Sequence, residues 1–114
     1  MKKIQGIEVL DVSHMSKKML RIGTEEIEIE YYYTEISSKD VDKWNAIEYL
    51  SKILNIHTKE IMTIGDNKND EKMVENAGMG VVMKNSALAV QNIGDFVTED
   101  NNRNGVEKAI YQYI

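Results

Sequence analysis

The stretch IMTIGDNKNDEKMVENAGMGVVM, residues 61–83, decides how the chain is read. A buried-strand run, IMTIG, passes into Gly65, and Asp66, Asn67, Asn69 and Asp70 then crowd into the next five positions. NDEKMVENAG follows as a short helix ended by Gly78, and GVVM is a second apolar run. Apolar strands separated by helices predict an α/β fold, a parallel sheet covered on both faces. In such a sheet ligands gather beyond the carboxyl ends of the strands. Asp66 is the first residue past such an end, a place suited to a hard cation such as Mg²⁺, which takes few carboxylates and keeps several waters. Asp70, one helical turn further on, can cap the turn, support the ion through hydrogen bonds, or reach it directly. The same residue types also make an ordinary polar strand-to-helix turn, and spacing alone leaves both readings open.

Downstream the rhythm continues. NSALAVQNI reads as a helix capped by Ser86 or Asn85, DFVT as a short third strand, and NGVEKAIYQYI as a closing helix with Asn104 and Glu107 at capping-box spacing. Upstream, Ala46, Ile47, Leu50, Ile53 and Leu54 fall at helical spacing behind a capping Asp42. Further back, Ile4–Leu10 reads as a strand, Ser13–Arg21 as a short helix, and IEIEYYY as a strand alternating one buried with one wet face. That makes residues 1–35 a small β-α-β piece, with the boundary to residues 36–114 marked by SSKD. At strand spacing the tyrosines of IEIEYYY continue an apolar face rather than form a recognition cluster.

Composition narrows the function. In 114 residues with a net charge of −5 there is no basic surplus for a nucleic-acid backbone. The absence of cysteine removes disulfides and thiolate metal sites, and His14 and His57 lack the company a zinc site needs. No apolar run approaches membrane-spanning length, and MKKIQGIEVLDV does not read as a signal peptide, so a soluble cytoplasmic protein is expected. Met62, Met73 and Met83 fall on strand or helix faces as core filler.

The stretch 61–86, with its G-D-x-x-N-D, helical methionine, A-G and apolar strand, resembles the fourth motif of the haloacid dehalogenase-like hydrolases, specifically the Cof-type phosphatases; K-N-S followed by Ala87 stands where N-A is usual, a mild departure. DFVTEDNNRNGVEKAI is similar to that family's closing strand, loop and helix, and DVDKWNAIEYLSKILNI to its lysine motif. The resemblance implies a Rossmann-like core and a Mg²⁺-dependent phosphatase acting on small phosphate esters such as sugar phosphates. It assigns Asp66 and Asp70 to the metal site, Asn69 to the substrate phosphate or the loop, and Lys43 to the charge of the transferring phosphoryl group. By position alone Lys43 is a solvated lysine in a helix's first turn. Trp44 departs from the small residue usual after the family lysine, and Asn85 is a weak candidate for shaping the site.

The family's D-x-D-G-T nucleophile motif is missing from these residues; VLDVSHM offers Asp11, but Ser13 stands at the acid/base position and no Gly-Thr follows. Residues 1–35 are therefore expected to be a remnant of the cap domain and residues 36–114 the C-terminal half of the core. As a C-terminal fragment the chain is expected to be inactive alone, and the alternative is a non-catalytic interaction module keeping the fold. Without the nucleophile strand, the edge of the Ile61–Ile64 strand should be covered by repacking of residues 1–35 or by pairing of two chains.

Overall fold

The computed structural model describes residues 5–114; the strand start expected at Ile4 and the side chains of Asp11, Ser13, His14, Tyr32 and Tyr33 lie outside the described residues. The chain divides into two compact units, Met1–Val41 and Asp42–Ile114.

The first unit is a long antiparallel hairpin of β1 (Ile7–Ile22) and β2 (Glu25–Ser38). The helix expected at Ser13–Arg21 is strand, so the β-α-β piece is instead a β-ribbon. The physical reason lies at Gly23, whose φ of +63° turns the chain between the paired residues Ile22 and Glu25. Once that turn forms, Lys17 to Ile22 alternate across from β2 rather than wind into a helix. Leu20 sits opposite Ile27 and Lys18 opposite Ile29 on one face, while Lys17, Met19 and Arg21 meet Glu30, Glu28 and Glu26 on the other. The Lys17 ammonium lies 3.3 Å from Glu28 and 3.5 Å from Glu30. The alternation expected in β2 is present, but its apolar face is not buried: Ile27 and Ile29 remain 42% and 38% exposed.

The second unit opens with α1 (Lys43–Leu54), started by Asp42, whose carboxylate accepts from the Asn45 N–H at 2.7 Å, and stopped by Asn55 in the left-handed conformation. Trp44 is buried, so its bulk packs inside the unit, whereas Leu50, Ile53 and Leu54 stay exposed. Strands β3 (Met62–Gly65), β4 (Met79–Met83) and β5 (Phe96–Thr98) form a parallel sheet in the order β3-β4-β5. Between them run α2 (Glu71–Asn76) and the single turn α3 (Leu88–Gln91), and α4 (Gly105–Tyr113) closes the chain. This is the parallel α/β layering that the alternating apolar runs predict. The helix α2 packs on β3 and β4 and against α1, and α4 packs on β4 and β5. The core gathers Val74, Val82 and Val90 with Met73 and Ile93 against them. A β-carbon on Gly80 would stand 2.0 Å from the Val74 carbonyl oxygen, so only glycine lets α2 close onto β4.

Two expected caps are not made. The helix α3 starts at Ala87 without a side-chain cap; Asn85 instead accepts from the Asn101 N–H at 3.2 Å, which links the loops after β4 and β5. At α4, Asn104 takes a left-handed φ of 58° and makes no side-chain cap, because the turn before it is closed by the Gly105 N–H donating to the Asp100 carbonyl. His57, which sequence position placed in a plain turn, accepts from the Lys59 N–H and caps the turn Thr58–Glu60.

The Ser86 hydroxyl is buried with no hydrogen-bond partner among the described residues. An unpaired buried hydroxyl is destabilising, so Ser86→Ala is expected to raise stability by about 1 kcal/mol. Urea denaturation of the two proteins checks this; a loss of similar size would contradict it.

Candidate functional site

Three parallel strands end on the same side of the sheet, and the cluster of Asp66, Asn67, Asn69 and Asp70 sits at the end of β3. Gly65 is the last residue of β3, and a β-carbon there would lie 2.5 Å from the Asp70 β-carbon. The missing side chain is what lets Asp70 fold back beneath the strand end. One Asp70 carboxylate oxygen, Oδ2, accepts from the N–H groups of Asp66 and Asn67 at 3.0 and 3.2 Å, and it pins the turn Lys68–Asp70 that leads into α2. The other oxygen, Oδ1, accepts from the Lys43 ammonium at 2.5 Å. Asp70 is 3% exposed, so its second partner matters: a buried carboxylate is costly unless paired. Burial pushes the Asp70 carboxyl up, but the Lys43 ammonium and the Asp66 and Asn67 N–H groups outweigh it and hold it below its ordinary value.

A second contact of opposite polarity lies beside the first. Lys72, on α2, donates to Asp42 Oδ2 at 2.6 Å and to Asn45 Oδ1 at 3.2 Å, both at the start of α1. The Lys72 ammonium, together with the Asn45 and Trp44 N–H groups, holds the Asp42 carboxyl below its ordinary value despite some desolvation. Sequence spacing gave no sign of this pairing across some thirty residues.

The sequence candidates therefore separate. Lys43 and Asp70 are brought into direct contact, and Asp66 stands next to them with an exposed side chain that takes no hydrogen bond among the described residues. Asn69 is exposed on the turn between the two aspartates. Past β4 and β5, Lys84 and Arg103 lie 3.9 Å from the Glu99 carboxylate, a group of charges that the motif reading did not single out. For a divalent cation, Asp66 offers one open carboxylate, while both Asp70 oxygens are already taken by protein donors. No set of three His, Cys, Asp or Glu side chains able to hold a metal occurs among the described residues. That donor set fits a Mg²⁺ ion drawing one direct ligand from this chain, with Asp70 in support, since Mg²⁺ is commonly held by one or two carboxylates plus substrate phosphate and water.

A family model described as haloacid dehalogenase-like hydrolase matches residues 9–110. Phosphatase YwpJ of Bacillus subtilis is 42% identical over 72 residues, covering 63% of this chain and 25% of that protein. The 5-amino-6-(5-phospho-D-ribitylamino)uracil phosphatase YcsE of the same organism is 31% identical over 80 residues, covering 70% of this chain and 32% of that protein. A haloacid dehalogenase-like hydrolase from Bacteroides thetaiotaomicron, known from its crystal structure, superposes with a TM-score of 0.69 at 30% identity, over 86% of this chain and 34% of that one. The chain thus spans about a third or less of the length of these relatives.

Two outcomes follow from the geometry. Gly65→Ala drives a β-carbon into Asp70, and overpacking of this kind costs about 1–3 kcal/mol; urea denaturation should show that loss, and an unchanged midpoint would mean that Asp70 does not need the space. The depressed carboxyl of Asp70 contributes stability that is present above its unfolded value near 3.8 and is lost as pH falls through the lower folded value. Thermal melts across that acid range should therefore fall more steeply for the native chain than for Asp70→Asn, and parallel slopes would contradict the pairing.

Proposed function

The chain belongs to the haloacid dehalogenase-like hydrolases, and from that premise we propose that it carries the lysine-and-metal half of a Mg²⁺-dependent phosphomonoesterase site. The observation that supports this most is the Lys43–Asp70 contact at the end of β3, beside the open carboxylate of Asp66. Asp66 would hold Mg²⁺ directly and Asp70 would support it by fixing the Asp66 backbone and the Lys43 ammonium. When bound, the ion would neutralise charge on a phosphoryl group. Lys43 supplies a positive charge from the protein side, oriented by a buried carboxylate rather than left to swing in water. Asn69, exposed on the same turn, is assigned to the substrate phosphate or to holding the loop, as the family resemblance implies.

No D-x-D-G-T motif occurs in the sequence, so we assign the attacking carboxylate to a polypeptide segment outside these residues and expect this chain to be inactive by itself. The first unit, expected from the sequence to end at residue 35 and running to Val41, is read as a remnant of the cap domain, and the second, Asp42–Ile114, as the C-terminal half of the core. The substrate class is small phosphate esters such as sugar phosphates, a choice in keeping with YcsE, whose name gives it a phosphorylated ribityl compound. In the described sheet β3 pairs only with β4, and that free edge is expected to accept the strand bearing the nucleophile or a second copy of the chain.

The test is turnover of p-nitrophenyl phosphate with Mg²⁺, first by the chain alone and then in a mixture with a polypeptide supplying the family's D-x-D-G-T strand. None is expected alone; in the mixture, turnover is expected and should be lost with Lys43→Met or Asp66→Asn. Turnover by the chain alone would overturn the inactivity. None in the mixture would favour an interaction module that keeps the fold without the chemistry.

A further inference from the structure

The two contacts between the start of α1 and the start of α2 are mirror images in charge. Asp70 gives one oxygen to the N–H groups of its own turn and the other to Lys43 of α1. Asp42 gives one oxygen to the Asn45 N–H of its own helix start and the other to Lys72 of α2. Asp42 caps the start of α1, Asp70 pins the turn that leads into α2, and each reaches across to a lysine of the opposite element. Lys72 also touches the Asn45 amide oxygen, so its ammonium engages residues on either side of Lys43 within the first turn of α1.

We propose that Lys72 and Asp42 are positioning residues for Lys43, fixing where the first turn of α1 stands against α2 and thereby where the Lys43 ammonium is delivered. The purpose of that delivery rests on the phosphoryl-transfer reading above; the positioning itself does not. The Lys43 side chain is 53% exposed and touches a single carboxylate. A long side chain tethered at one end by a flexible stem reaches one place only when its backbone is also held, and the Lys72 contacts supply that hold. Stability is a poor explanation for them, because the Lys72 and Asp42 side chains are 54% and 32% exposed and open ion pairs of this kind add little to folding. Their effect is on geometry: with the cross-link present, α1 cannot slide or roll along α2 without breaking a contact at 2.6 Å.

The experiment uses the whole chain without metal or substrate, so it reads the clasp independently of whether the site performs phosphoryl transfer. Nitrogen-15 relaxation of the Lys43 ammonium is measured in the native chain and in Lys72→Met, Lys72→Arg and Asp42→Asn, the last chosen because asparagine also caps helices well. The expected result is an ordered Lys43 ammonium in the native chain and in Lys72→Arg. In Lys72→Met and Asp42→Asn its order parameter should fall toward that of the exposed Lys68, with thermal midpoints shifted by no more than a few degrees. An unchanged Lys43 signal in Lys72→Met or Asp42→Asn would overturn the proposal. So would a loss of order that appears only with a large fall in thermal midpoint, since that outcome marks a structural contact.

Discussion

The arrangement at the end of β3 depends on one buried carboxylate and what neutralises it. Asp70 is almost wholly removed from water, and a charge in that position is tolerated only when its oxygens are met. Lys43 meets one and the Asp66 and Asn67 N–H groups meet the other, so a single side chain ties the end of a strand, the start of one helix and the start of another. Gly65 follows from the same constraint, since any side chain there would occupy the space of Asp70. Asp66 remains free to face outward because its backbone, rather than its side chain, takes part in the pinning.

Around this point the second unit is well consolidated on one side and open on others. Val74, Val82 and Val90 close the core between α2, α3 and β4, while Leu50, Ile53 and Leu54 of α1 stay exposed and Phe96 and Val97 of β5 are only partly covered, Phe96 by stacking on Tyr113. Apolar side chains at helical spacing on α1 would ordinarily face a packed neighbour. The first unit repeats the theme: a two-stranded ribbon is marginal in water by itself, and this one carries Leu20, Ile27 and Ile29 on one face and Lys17, Arg21, Glu26, Glu28 and Glu30 on the other.

The parallel sheet and its helices were legible in the sequence because apolar strands and helical spacing leave independent marks, and the G-D-x-x-N-D stretch located Asp66 and Asp70 just past the carboxyl end of β3. Lys43 emerged only through resemblance, since an exposed lysine in a helix's first turn carries no signal of its own. The clasp between Lys72 and Asp42 was illegible: it joins residues distant along the chain, and pairing across that separation is decided by how α1 packs on α2. The hairpin is hidden in the sequence because Ser13–Arg21 has helical composition, whereas the deciding element is the left-handed Gly23 with a strand partner beyond it. The missed caps at Ser86 and Asn104 have a similar origin, as backbone contacts closed both turns before a side chain was needed.

The most direct measurement places a divalent ion on the folded chain. Titration with Mn²⁺ as a paramagnetic substitute for Mg²⁺, followed through backbone amide signals, should broaden residues 65–70 and Lys43 first, and Asp66→Asn should remove that broadening. If the ion instead broadens the glutamate-rich ribbon, or leaves the end of β3 untouched in the native chain, the assignment of Asp66 as a metal ligand fails.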